Sequence, residues 1–345
     1  MKRALRGFVV AAIGFVAAGG DVHGPSMEGP WLLVLTREGI EDPPRHLTLT
    51  QDDTALAAEF TCQDELPLGD GTYDGHAFAL AFDVDGEIAT FTGMRHGRTI
   101  LGTFSLPEGD SGTFALERTR VLLDCAEACE PVAPIRFVET DFTDLDKVEE
   151  ISLFRSAAGH DYSDGCESCR SMKHYYAPYE EHKASNGLIE VFSPVDGTVV
   201  SITAEGHGES PEGENKQVRI RSTAHPDHTF ILFHVDLLAD PIAIGDAVSA
   251  GEQVGTARLV YPDLEEVAHD FDVGVQVHSL FGDRYVSFIE TLTDAAFAAY
   301  VARGAAARSD FVISDADRDA DPLTCDDSTF TSTGSLPLWF PLDAP

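Results

Sequence analysis

Apolar and polar residues alternate in short runs over much of the chain. Between residues 27 and 122 the runs GPWLLVLTREG, HLTLTQDD, ALAAEFTC, HAFALAFDVDG, EIATFTGMRHG, RTILGTFSLPEG and SGTFALERTR follow one another. Each has the period of two that sends successive side chains to opposite faces of a strand. Asp85-Gly86, His96-Gly97 and Glu108-Gly109 punctuate them as hairpin turns do. The pattern predicts an antiparallel meander or small barrel over 27–122, with Trp31 as an apolar plug.

Residues 123–150 carry a cysteine pair, two prolines and an acidic run, the composition of a linker. Strand patterns resume over 151–290 in GLIEVFSPVDGTVVSI, KQVRIRST, HTFILFHVDLL, IAIGDAVSAGEQVGTARL and FDVGVQVHSL. A short α-helix is predicted near 293–307, where Phe297, Tyr300 and Val301 recur at helical spacing among alanines. The rest of 291–345 is an acidic tail. The fold class is mainly β, with two domains.

The first 18 residues place Lys2, Arg3 and Arg6 before a short apolar run that ends in Val16, Ala17 and Ala18. That is the form of a cleavable signal peptide, and no later run reaches the roughly twenty apolar residues of a membrane span. The expected location is secreted or periplasmic. A net charge of -36 argues against nucleic acid or anionic membrane as a partner. The six cysteines, Cys62, Cys125, Cys129, Cys166, Cys169 and Cys325, point to disulfides in an exported chain. Three lie in each half, so full pairing requires at least one bridge between the halves. Cys125 with Cys129 would clip the linker; Cys166 with Cys169, or one of these with Cys325, would staple the stretch AAGHDYSDGCESCRSMKHYYAP at 157–178.

That stretch and the run after it carry the candidate chemistry. SPVDGTVVSI, FILFHVDLL and IAIGDAVSAGEQVGT, in this order, resemble the β-sandwich of the lysostaphin-type zinc endopeptidases, which cut peptide bridges of cell-wall peptidoglycan. The resemblance implies one His and one Asp from a first motif and one residue from a last motif on Zn²⁺, with a further histidine assisting. Open zinc sites of this kind polarise a carbonyl and activate water. Carried over, His234 in LFHVD matches the assisting histidine. The first motif has two registers. One takes His160 and Asp164 as the H-x-x-x-D pair; the other aligns RSMKHYYAP and puts Arg170 and His174 in the ligand positions, where arginine cannot ligate. In AHDFDVGVQV, strand phase puts Asp270 and Asp272 where the family has two histidines, with His269 on the opposite face. The implied metal set is His160, Asp164 and Asp272. Met172-Lys173 resembles the acceptor of biotinyl carriers, but it precedes the glycine-valine hairpin instead of following it, which excludes that reading. Gly29-Pro30-Trp31 and SGTFALERTR resemble the two ends of lipocalin-like exported barrels.

In the tail, Asp315, Asp317, Asp319, Asp321 and Asp326 have the spacing of a calcium loop, with Ala320 in place of the usual glycine. Three functions follow as expectations. The first is a peptidase-like protein of the cell envelope. The second is a non-catalytic protein that binds wall peptide or another envelope protein through the same groove, and the third is a calcium-stabilised extracellular module.

Overall fold

The computed structural model describes residues 26–62, 68–84, 87–107, 111–121, 123–125, 129–183, 185–205, 214–261, 266–267 and 270–345. The signal peptide at 1–18, the Asp85-Gly86 and Glu108-Gly109 turns, and His269 lie outside them.

The first unit consists of β1 (Gly29–Arg37), β2 (Ile40–Glu41), β3 (Arg45–Asp52), β4 (Ala55–Phe60), β5 (Gly69–Tyr73), β6 (Ala77–Val84), β7 (Glu87–His96), β8 (Thr99–Ser105) and β9 (Ser111–Arg118). Neighbours in sequence pair antiparallel, and β1 closes on β9 with Trp31 opposite Arg118 and Leu35 opposite Phe114. With β2 as an appendage to β1, the result is a closed barrel of eight strands. Its interior is filled by the inward residue of each alternating pair, among them Leu47, Leu56, Phe82, Phe91 and Phe104, as expected for a barrel of this size. Trp31 is fully buried, and its indole N–H donates to the Met27 carbonyl at 2.7 Å. Gly71 is required by packing: a Cβ there would stand 2.1 Å from the Ala79 carbonyl oxygen.

The second unit contains β10 (Val148–Ser152), β11 (His174–Pro178), β12 (Glu190–Phe192), β13 (Gly197–Ala204), β14 (Lys216–Ser222), β15 (His228–Leu237), β16 (Ala247–Val248), β17 (Gln253–Ala257), β18 (Val260–Tyr261), β19 (Glu266–Val267), β20 (Phe271–Ser279) and β21 (Gly282–Val286). The order across the main sheet is β16-β13-β14-β15-β20-β11-β10, followed by the short strand Trp339–Pro341. One face packs a core of Val199, Ile220, Phe230, Leu232, Val273 and Val275. Val138, Phe142 and Leu145 from the expected linker enter the same core, as do Tyr300, Phe311 and Leu342 from the tail.

β15 and β20 are buried on both faces, which explains their near-continuous apolar text. The second face is covered by the loop-rich segment before β11: the Tyr162 ring lies 5.4 Å from that of Phe233. Gly274 leaves room there, since a Cβ on it would meet Phe233 at 3.5 Å and Tyr162 at 3.8 Å.

The expected helix is present as α2 (Asp294–Ala302), capped by the Thr293 hydroxyl, which accepts from Ala296 N–H. Gly304, at φ 97°, follows its end. Two further short helices, α1 (Phe288–Thr291) and α3 (Asp315–Ala320), were not expected.

The disulfides are Cys62–Cys125, Cys129–Cys166 and Cys169–Cys325. One bridge does cross between the halves, but neither Cys125–Cys129 nor Cys166–Cys169 forms. Asp164 caps a turn onto Glu167, and Cys169 adopts φ 56°, so the chain folds back between Cys166 and Cys169 and each meets a distant partner.

Candidate functional site

His234 sits where β15 changes partners. Up to Leu232 the strand pairs with Val273 of β20; from Val235 it pairs with Ala257 of β17. The switch passes through His234 at φ 55°, a conformation that non-glycine residues adopt rarely and at a cost of about 1–3 kcal/mol. Its N–H donates to Glu205 Oε2 at 2.7 Å, which fixes the kink. The partly exposed ring has Tyr261 Oη 3.0 Å and Asn215 Oδ1 3.2 Å from Nδ1, while Nε2 faces Asp272 Oδ1 at 3.7 Å.

Asp272 is fully buried. Its Oδ2 lies 2.5 Å from Lys173 Nζ, and Lys173 is itself only 2% exposed. Neither carboxylate oxygen is aligned for a hydrogen bond with a donor among the described residues, so the ammonium charge is what compensates it. That ammonium is enclosed by the rings of Phe233, Tyr162 and Tyr175 at 4.2, 4.8 and 4.8 Å, which stabilise a desolvated cation. Burial alone would lower the Lys173 pKa; the Asp272 carboxylate, Tyr175 and Glu205 together outweigh it, raise the pKa and hold the lysine protonated.

Lys173 also donates to His160 Nε2 at 3.3 Å. An ammonium has no lone pair, so Nε2 is the acceptor and Nδ1 carries the proton, which it donates to the Asp161 carbonyl at 2.9 Å. Burial and the Lys173 charge lower the His160 pKa, in keeping with this neutral tautomer. Both ring nitrogens are therefore engaged within the protein.

The structure thus brings His160, His234 and Asp272 around one cleft and leaves Asp164 elsewhere. Asp164 accepts from Cys166 and Glu167 N–H through Oδ1, and from Arg284 Nε and Tyr285 N–H, at 3.0 and 3.1 Å, through Oδ2. The alternative first-motif residues are structural. Arg170 binds Glu167, Asp315 and Asp319. His174 projects on the opposite side of its strand from Tyr175 and is fully buried, with Nδ1 2.8 Å from the Ser152 carbonyl and Nε2 2.8 Å from Ser287 Oγ. Burial pushes its pKa down to about 4.

Zinc needs ligand atoms that are unprotonated and free to point at one centre. His160, Asp164 and Asp272 do not meet that requirement. Among the described residues the one group of three His, Cys, Asp or Glu side chains within 4.8 Å of one another is Asp161, Cys169 and Cys325, and the two cysteines are bonded to each other. The calcium spacing is likewise taken up by other contacts. Asp315 to Ala320 form α3, capped by Ser314. Asp315 and Asp319 turn to Arg170, Asp317 to Ser314, and Asp321 to the N–H groups of Ser335 and Leu336, while Asp326 lies beyond on a short strand. A helix spreads side chains two apart around its axis, whereas a calcium loop converges them.

The sequence reading missed several residues of the cleft: Lys173, Glu205, Asn215 and Tyr261. Asp270, seen only as a strand-phase position, is partly buried, with its pKa raised to about 7 by desolvation and by the Asp272 charge. Burial also raises the Glu205 pKa, followed by repulsion from Asp272 after the opposing pull of His234. Glu205, Asp270 and Asp272 thus share the cleft with His160, His234 and Lys173, so carboxyl groups outnumber its one permanent cation.

No protein-family model matches the chain, and no curated protein does. Among solved structures it is similar to the lytM protein of Ruminococcus gnavus, assigned as a glycyl-glycine endopeptidase, at 16% identity and a TM-score of 0.26 over 34% of this chain. The chain spans 44% of the length of that protein. It is also similar to Csd3 of Helicobacter pylori, at 10% identity and a TM-score of 0.31, over 74% of this chain and 77% of that one.

Proposed function

We propose that this is an exported protein of the cell envelope whose sandwich cleft binds wall peptide without cutting it. The observation that carries the reading is Lys173: its ammonium stands between His160 Nε2 and Asp272 Oδ2, two of the three groups that the peptidase resemblance would give to zinc. A fixed cation there neutralises Asp272 but supplies neither an open coordination position nor a polarised water, so the resemblance of motif persists without its hydrolytic centre. The three disulfides fit an extracellular or periplasmic setting, and no helix among the described residues is long and apolar enough to cross a membrane. The further carboxyl groups at Glu205 and Asp270 suit a peptide that brings an amino group to the cleft.

The test combines three measurements on the mature, oxidised protein: zinc content after exhaustive dialysis, co-sedimentation with purified peptidoglycan sacculi, and release of soluble muropeptides. Binding to sacculi with no zinc and no released product is expected. About one zinc per chain together with peptide release, both lost in a His160→Ala, Asp164→Ala variant, would establish the peptidase reading instead.

A further inference from the structure

The sandwich meets the barrel beside the end of β1. Along β1, Trp31, Leu33, Leu35 and Arg37 share the inward face, and the Arg37 guanidinium lies 5.7 Å over the ring of Phe104 in the barrel core. Opposite stand β14, β20 and β21 of the sandwich, joined to the barrel by Arg45 to Asp283 at 2.7 Å and by Arg221 to the Glu41 carbonyl. Between them lies a cavity of about 330 Å³, within the size range of small-ligand sites, which favour domain interfaces and barrel mouths.

Its charge is opposite to that of the molecule. Arg37, Arg45, Arg219 and Arg221 line it, against the carboxylates of Asp42 and Asp283, so two guanidinium charges are left over in a chain of net charge -36. The two carboxylates are already engaged. Asp283 holds Arg45 and His278; burial opposes its ionisation, yet these partners keep its pKa at about 2. Asp42 sits 2.8 Å from Arg37 and 3.8 Å from Arg221. Arg219 has only amide partners among the described residues, Gln217 Oε1 at 2.9 Å and Gln276 Oε1 at 3.2 Å. Arg221 Nε is buried with no acceptor, and desolvation of that side chain outweighs the help of Asp42.

We propose that this cavity binds a small organic oxyanion, a carboxylate or phosphate with a short apolar group, gripped by Arg219 and Arg221 while the apolar part lies beside Leu33 and Leu35. Guanidinium forks match either oxyanion. Because Arg219 and Arg221 belong to the sandwich and Leu33 and Leu35 to the barrel, the ligand also locks the barrel to the sandwich. The site is separate from the Lys173 cleft and stands whether or not that cleft binds peptide.

The probes are sodium butyrate and inorganic phosphate, titrated calorimetrically into the full mature protein at constant ionic strength balanced with chloride, with thermal midpoints recorded alongside. One saturable site per chain and a raised midpoint are expected for at least one probe, with at least tenfold weaker binding in Arg219→Gln. Gln276→Glu is the second variant: it keeps Arg219 but gives it an internal carboxylate, and should weaken binding as much. Tighter binding of butyrate assigns a carboxylate ligand, and tighter binding of phosphate a phosphorylated one. Failure of both probes to bind the parent, or undiminished binding in folded Gln276→Glu, overturns the proposal.

Discussion

Lys173 Nζ and Asp272 Oδ2 meet at 2.5 Å in the interior of the sandwich, with 2% and 0% of their side chains exposed. The register of the sheet makes the pair: Tyr175 is the direct partner of Asp272 across β11 and β20, and Lys173, two residues earlier, shares the Tyr175 face. The ammonium stands between Asp272 and His160, and three aromatic rings enclose it.

Loss of one member of a buried pair leaves an uncompensated charge, at a cost of about 3–5 kcal/mol. Lys173→Met is therefore expected to lower the urea-unfolding free energy by about 3 kcal/mol, although methionine packs well against rings. Adding Asp272→Asn to it removes the stranded charge and should recover most of that loss. A double variant no more stable than Lys173→Met alone would show that the lysine acts through packing and not through Asp272.

Asp270 gives the cleft a pH signature. Its folded pKa of about 7 lies above the ordinary value of about 3.9, so between those limits the folded state holds a proton that the unfolded state has lost. The stability contributed is complete below about pH 4 and falls as pH rises through 7. His174, with its folded pKa near 4, contributes the opposite trend from pH 4 to about 6.5. Asp270→Asn isolates the first effect: relative to the parent it should gain stability steadily from pH 4 to 7 and no further above. A difference between the two proteins that does not vary with pH would place Asp270 in an ordinary solvated setting.

The barrel was legible because alternation is a local signal, repeated strand after strand, and inward residues such as Leu56 and Phe91 occupy the expected phase. The strand that carries Asp272 was legible for the same reason. The occupant of the cleft was not. Lys173 can be placed only through its pairing with a strand about a hundred residues later, and Asp164 turns away because Arg284, 120 residues on, claims its carboxylate. Cys169 likewise finds Cys325 over a separation of 156, a choice that no local spacing encodes. In the tail, the same aspartates fit a calcium loop or a Ser-capped helix; Arg170 decides between them by binding Asp315 and Asp319.

The Cys129–Cys166 bridge encloses 37 residues of separation and ties the stretch after the barrel to the segment that covers the cleft. Chain-entropy reasoning gives about 4 kcal/mol for a loop of that length. Cys129→Ser, Cys166→Ser should lower global stability by up to that amount. Its more telling effect is local: amide exchange in 156–173 should accelerate more than in β15 or β20, because the covering segment then opens without unfolding the sheet. Uniform acceleration across the domain would show that the segment and sheet unfold as one unit.

His234 separates backbone geometry from ring chemistry. At φ 55° a β-branched residue is strained, whereas asparagine accepts this conformation readily. His234→Val is expected to cost about 1–3 kcal/mol of stability from that strain, and His234→Asn little. If the ring contacts the bound peptide from its place between Tyr261 and Asp272, His234→Asn should still weaken sedimentation with sacculi by about tenfold, equivalent to ~1.4 kcal/mol. Unchanged binding in a stable His234→Asn protein would confine the histidine to shaping the kink, and would move the search for the peptide contact to Asp270 and Glu205.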